Sequence, residues 1–326
     1  MNTRRRFLLV LAALYPGLSG AQPAKLGGKP VRVGILSAAL SSSAQLASHR
    51  FVDAMRELGW IGGRNIVYDR VYAEGDEARL PALAMELLAR RPDLVYVQTH
   101  PEARAVLERT RTIPIVFGAA NNPHPGFVKS LAPPGGNVTG IANIGWELGG
   151  RRMQLLKEVL PKISRVGVLV SPVGRSSSEE QKLVIEAAGA GVRVIPAKIR
   201  EASEFDTAFA FLSENRVEAV LATHLAIFRR ERKRILDLAA KQRIPLIGFR
   251  SDMANDGALM SYGALSSEQI RRSAYLVDAI LKGTRPADIP VEQPTTFELV
   301  VNMKTAKALG ITIPQSILLQ ASRVIE

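Results

Sequence analysis

Two short apolar stretches occur twice in this chain, and their spacing constrains the fold more than any other feature. Arg32-Val33-Gly34-Ile35-Leu36 is echoed 133 residues later by Arg165-Val166-Gly167-Val168-Leu169. Ile113-Pro114-Ile115-Val116 is echoed 131 residues later by Ile244-Pro245-Leu246-Ile247. Each run is apolar almost throughout, as a strand buried on both faces of a parallel sheet requires. The near-equal offsets predict two similar lobes of roughly 110–120 residues each, within the usual size of a domain.

Between the echoes, strand and helix patterns alternate. Val31–Leu36 reads as a strand, and Ser41-Ser42-Ser43 supplies capping residues for a helix that carries Phe51, Met55 and Leu58 and stops at Gly59. Ile66–Val71, Leu94–Val97 and Ile113–Phe117 read as further strands, with Leu80, Leu83, Leu87 and Leu88 marking a helix between the first two. This is the alternation of a doubly wound parallel sheet. Pro133-Pro134-Gly135-Gly136-Asn137-Val138-Thr139-Gly140 is a turn-rich junction, after which Met153, Leu156 and Leu160 open the second lobe on a helix. Beyond the second lobe come a strand at Leu259–Tyr262 and a helix carrying Ile270, Ala274, Val277 and Leu281. A strand at Phe297–Val301 and a short helix at Lys304–Leu309 follow. These extra elements need somewhere to pack, and a chain that crosses between the lobes several times provides it.

The first 21 residues read as a signal peptide: basic Arg4-Arg5-Arg6, an apolar run from Phe7 to Leu18, and small residues before a cut at Ala21-Gln22. Thr3-Arg4-Arg5-Arg6-Phe7-Leu8 also fits the twin-arginine pattern, with an ordinary secretory signal as the alternative. The expected address is the periplasm. The chain has no cysteine, which excludes disulfides, thiolate metal sites and an acylated lipoprotein form. Its net charge is +13, falling to +10 without Arg4, Arg5 and Arg6. The densest basic run, Phe228-Arg229-Arg230-Glu231-Arg232-Lys233-Arg234, has no interleaved aromatic platform for bases. It reads as a solvated helix face, and no nucleic-acid partner is expected.

No catalytic constellation emerges. The histidines His49, His100, His124 and His224 form no metal-binding pair, and nucleophile-elbow, dinucleotide and phosphate-loop motifs are absent. No cofactor, metal or catalytic set is expected. What recurs is polar chemistry at strand ends, where open parallel sheets place their ligands. In the first lobe these residues are Ser41 and Ser42, then Thr99 and His100, then Asn121. In the second they are Ser171, then Thr223 and His224, then Arg250, Ser251 and Asp252. Thr139 and Phe249 join the set, Phe249 as an aromatic near the cleft. Taken singly, each Ser, Thr or Asn is more often a helix cap or turn former. As matched sets on two lobes they suggest a polar solute held between two faces.

Three stretches carry a family resemblance: Leu131-Ala132-Pro133-Pro134-Gly135-Gly136-Asn137-Val138-Thr139-Gly140; Gly257-Ala258-Leu259-Met260-Ser261-Tyr262-Gly263; and Leu281-Lys282-Gly283-Thr284-Arg285-Pro286-Ala287-Asp288-Ile289-Pro290-Val291-Glu292-Gln293-Pro294. With them, the chain resembles the ABC transporter substrate-binding proteins whose best-known members take up aromatic amino acids, a branch of the type I periplasmic binding proteins. The resemblance implies an α/β fold of two Rossmann-like lobes with parallel sheets, joined by three crossovers near Ile141–Trp146, Ser261–Leu265 and Val291–Thr296. It assigns 31–142 plus 264–290 to one lobe and 145–262 plus 293–326 to the other. It further implies a monomer that closes on a small-molecule solute and delivers it to the membrane permease of an importer. Ser41, Ser42, Thr99, Asn121, Ser171 and Thr223 match cleft-lining positions of such proteins. Thr99-His100-Pro101-Glu102, Asn121-Asn122 and Ser251-Asp252-Met253 depart from the family's usual residues, all at the cleft, so a known amino-acid specificity does not carry over. A binding protein that presents its solute to a sensor or receptor is the alternative function, with an exported enzyme on the same fold behind it.

Overall fold

The computed structural model describes residues 29–121, 135–172, 175–189 and 191–326, without the side chains of 42–47, 120–121, 175–179 and 226. The expected signal peptide, Asn122, His124 and the first part of the proline-rich junction lie outside the described residues. The first sheet is built from β1 (Val31–Ser37), β2 (Ile66–Tyr72), β3 (Leu94–Val97), β4 (Ile115–Asn121) and β5 (Val138–Asn143). Their connections carry α1 (Ser41–Glu57), α2 (Leu80–Ala89) and α3 (His100–Leu107). The chain then runs through α4 (Gly149–Val159), β6 (Arg165–Val170), α5 (Arg175–Ala188), β7 (Arg193–Lys198), α6 (Phe205–Glu214) and β8 (Ala219–Ala222). Next come α7 (Ala226–Arg230), α8 (Arg232–Lys241), β9 (Leu246–Gly248), α9 (Ser251–Asn255) and β10 (Met260–Ala264). It ends with α10 (Ser266–Leu281), β11 (Phe297–Asn302), α11 (Met303–Leu309), α12 (Gln315–Gln320) and β12 (Arg323–Ile325). Among the described residues no helix is long and apolar enough to cross a membrane.

The strand order of the first sheet is β2-β1-β3-β4-β5, and that of the second is β12-β11-β10-β9-β8-β6-β7. Read from β7, the second sheet repeats the order of the first, and the echoed strands β1 and β6 hold the same place in each. The first sheet is parallel throughout its described pairs. The second departs from an all-parallel expectation: β11 runs antiparallel to β10, with Met260 opposite Val301 and Ala264 opposite Phe297. The reason is topological, because the chain re-enters the second sheet from the other lobe and meets β10 head-on.

Each sheet is sealed on both faces by apolar side chains. In the first, Phe51 of α1 stacks on Tyr96 of β3 with ring centroids 4.0 Å apart, and Ala274, Val277 and Ile280 of α10 complete that face. Leu80, Leu87, Ala103 and Val106 cover the other face from α2 and α3. In the second, Met153, Leu156, Val184 and Ile317 pack on one side, and Phe205, Phe209, Ile235 and Met253 on the other. The helix α10 therefore serves the first lobe although the strand before it belongs to the second.

Three crossings result: between β5 and α4, between β10 and α10, and before β11. They are hydrogen-bonded side by side. Ala142 N–H donates to Glu292 O at 2.7 Å and Glu292 N–H to Gly140 O at 2.9 Å, while Leu265 N–H donates to Thr296 O at 3.0 Å. Arg272 clamps the third crossing with two bonds to the Glu292 carboxylate, 2.9 and 2.6 Å.

One local expectation is corrected. Helix α1 begins at Ser41 with Leu40 in the N-cap position and no side-chain cap. The Glu74 carboxylate, arriving from the loop after β2, instead accepts the Ser41 N–H at 3.1 Å.

Candidate functional site

The carboxyl ends of both sheets point toward the crossings, so the loops after β1, β3 and β4 face those after β6, β8 and β9 across a cleft. Two buried carboxylates organise the two walls. On the first lobe, Glu102 is 2 % exposed and accepts backbone N–H groups from Ala38, Gln98 and Thr99 at 2.7, 2.8 and 2.8 Å. Thr99 and Glu102 form a capping box at the start of α3, so one carboxylate closes that helix and ties it to the loop after β1. Burial pushes the Glu102 carboxyl up, against the pull of those N–H groups and of Arg229.

On the second lobe, Arg152 of α4 is 0 % exposed and meets Glu180 of α5, 1 % exposed, at 2.5 Å. Its remaining donors reach the carbonyls of Tyr262 at 2.9 Å and Gly145 at 2.7 Å. Tyr262 precedes the second crossing and Gly145 lies in the first, so one guanidinium fastens both to the lobe. Gly149 permits this approach of α4 to α5, because a Cβ there would fall 2.7 Å from the Glu180 Cγ. Glu180 in turn accepts the His224 N–H at 2.8 Å. Burial raises the Glu180 carboxyl to about 7, opposed by Arg152 and the His224 N–H, and lowers the Arg152 guanidinium, opposed by Glu180.

His224 follows β8 and lies edge-on to Phe249, ring centroids 4.7 Å apart. Asn143, at the start of the first crossing, uses Oδ1 to accept the Gly145 N–H at 2.7 Å, which leaves its Nδ2 facing His224 Nδ1 at 3.3 Å. Nδ1 is therefore the acceptor and Nε2 carries the hydrogen. Burial depresses this imidazole to about 3, helped by the charges of Arg152, Arg250 and Arg229, so the ring is neutral at physiological pH.

Three residues expected at the cleft turn inward. Thr139 is fully buried, and its hydroxyl donates to Ile289 O at 2.9 Å, holding the segment before the third crossing. Thr223 is fully buried and donates to Leu169 O at 2.7 Å, joining β8 to β6. Phe249 is 1 % exposed, part of the core beneath His224. In each case the side chain of a strand-end residue points back into its own lobe. Thr99 spends its position on capping α3. Ser41, His100, Ser171, Arg250 and Asp252 are half-buried and follow the carboxyl ends of their strands. The backbones of Ser42 and Asn121 are in α1 and β4, with Asn121 opposite Asn143, while their side chains lie outside the described set.

The basic run after β8 is also corrected. Arg230, Arg232 and Arg234 pair with Glu231, Asp256 and Asp206 on the surface, but Arg229 is half-buried. Burial lowers its guanidinium, and Arg250 lowers it further. Glu102, Asp252 and Glu77 act in the opposite sense, two of them from the other lobe. Arg229 lies in the last turn of α7, which follows β8 at the carboxyl end of the second sheet. The sequence signals this only as one arginine among several, whereas Thr99-x-x-Glu102 is a legible capping box. Among the described residues no three His, Asp or Glu side chains converge to hold a metal ion.

Comparison with known proteins agrees with this architecture. A tyrosine-binding protein of Clostridioides difficile is 26 % identical over 289 residues, spanning 87 % of this chain and 82 % of its own length. An ABC domain from Streptococcus pneumoniae, crystallised in complex with L-Trp, matches with a TM-score of 0.82 and 25 % identity, covering 91 % of this chain and all of the other. A conserved domain protein from Vibrio cholerae matches with the same TM-score and 26 % identity, also over 91 % of this chain and all of its own. The profile of the ABC transporter substrate binding proteins spans residues 32–325. The chain belongs to the ABC transporter substrate-binding protein family.

Proposed function

We propose that this protein is exported to the periplasm, there captures a small polar solute between its lobes, and hands it as a monomer to the membrane permease of an ABC importer. The carrying observation is the convergence of strand ends on the crossings: Asn143, at the start of the first crossing, meets His224 of the second lobe at 3.3 Å. Polar strand ends that meet at a hinge suit a site that closes on something small. Amino acids and aromatic acids are the classes to test first, since one relative is a tyrosine-binding protein and another was crystallised with L-Trp. Ser41, Ser42, His100, Asn121, Ser171, Arg250 and Asp252 are the proposed contacts, joined by His224 and Arg229. The moving bodies are 31–142 with 264–290 and 145–262 with 293–326. No turnover is part of this reading. The basic, apolar and small-residue segments of Met1–Ala21 support export, by the twin-arginine or the ordinary secretory route.

A thermal-shift panel of amino acids, aromatic acids, dicarboxylates and nucleosides tests the reading. A true ligand at about 100 times its Kd adds about 2.7 kcal/mol to the stability of the folded state. Silence across all four classes contradicts solute capture.

A further inference from the structure

The second lobe places two arginines after neighbouring strands, and among the described residues neither makes a parallel two-bond ion pair. Arg229 lies in the last turn of α7, after β8, and Arg250 stands between β9 and α9, so the sheet brings both to one wall. Among the described residues no carboxylate lies within ion-pair distance of the half-buried Arg229. Arg250 has one partner, Asp252, whose two oxygens lie 3.3 and 3.4 Å from the same Nε rather than bonding the guanidinium fork in parallel. Among the described residues Glu102, Asp252 and Glu77 act on Arg229 only through space, without an ion pair. Glu102 is saturated by three backbone N–H groups, and Glu77 sits exposed on the rim of the first lobe. His224 adds no negative charge, only a neutral ring with one N–H to give.

A half-buried guanidinium beside a like charge is costly unless something anionic completes it. Arginine's planar fork matches a carboxylate with two parallel bonds. An ammonium group would need an unsaturated carboxylate on the same wall, and Asp252 is already turned to Arg250. Resting on the solute-capture reading above, we infer that the cleft selects a solute of net negative charge, with one or more carboxylates and no ammonium, through Arg229 and Arg250.

Calorimetric titration with matched pairs tests this: phenylalanine against 3-phenylpropanoate, tyrosine against 3-(4-hydroxyphenyl)propanoate, and tryptophan against indole-3-propanoate, with succinate as a non-aromatic diacid. The acids are expected to bind at least about ten-fold tighter than their amino-acid counterparts, a preference of about 1.4 kcal/mol. Arg229→Gln and Arg250→Gln should each weaken acid binding by about ten-fold or more, with melting temperatures close to the parent. Arg229→Lys, which keeps the charge but loses the fork, should fall between. Amino acids binding as tightly as the acids would overturn the charge selection and leave solute capture standing. So would acid binding that both glutamine variants retain in full. No binding by any of these compounds, or by a nucleoside control, would overturn both.

Discussion

At the scale of single residues, the pair Arg152–Glu180 matters most, because it joins two crossings to a cleft loop through one buried contact. Removing one partner leaves the other charge buried without compensation, which typically costs about 3–5 kcal/mol. Arg152→Met should therefore destabilise by about that amount in urea unfolding. Adding Glu180→Gln should recover more than half of the loss, since the amide oxygen can still accept the His224 N–H. A double variant as unstable as the single one would show that the charge pair is not what holds this junction. Little of it is legible in the sequence. Arg152 is one of two adjacent arginines on a helix, and Arg151 beside it makes surface bonds to Glu158 and Gln320. Only the packing of α4 on α5 decides which of the two is buried. The inward turn of Thr139, Thr223 and Phe249 was hidden for a related reason: sequence places a residue at a strand end, but the pleat decides which way its side chain points.

At the scale of elements, the fifth strand of each lobe must approach the fourth closely. A Cβ on Gly140 would fall 2.1 Å from the Phe117 carbonyl oxygen, and one on Gly263 would fall 2.1 Å from that of Phe249. The same contact thus recurs in both lobes, beside the first and second crossings. Gly140→Ala and Gly263→Ala should each cost about 1–3 kcal/mol through forced backbone movement. Gly62→Ala, where nothing lies within 4 Å, should stay within about 0.5 kcal/mol of the parent. Equal effects at all three positions in chemical unfolding would contradict the close-approach account. The strands themselves were the most legible part of the fold, because β1, β3, β6 and β8 are buried on both faces and so carry unbroken apolar runs. Helix α3 opens on the Thr99–Glu102 capping box with Pro101 in its first turn, where proline costs no internal hydrogen bond. The direction of β11 was hidden, since an apolar strand looks the same whichever way it runs. Helix α12 buries only Ile317, too little for any periodicity to register.

At the scale of the whole molecule, two lobes with the same strand order share three hydrogen-bonded crossings. The repeated strand motifs foretold the duplication, and the surplus elements after the second lobe foretold the crossings. The charge of the cleft was not foretold, because the sequence counts arginines without saying which of them face carboxylates. Hinge closure places the solute where both walls can touch it, and release only requires the lobes to part. That makes capture without chemistry the central claim. Its most direct measurement is calorimetric titration of the purified chain with the amino acids and carboxylic acids named above, followed by chromatographic recovery of the bound compound. The account predicts saturable binding of one solute per chain and recovery of that solute chemically unchanged. Heat from none of them, or steady conversion of the solute into a product, would contradict it.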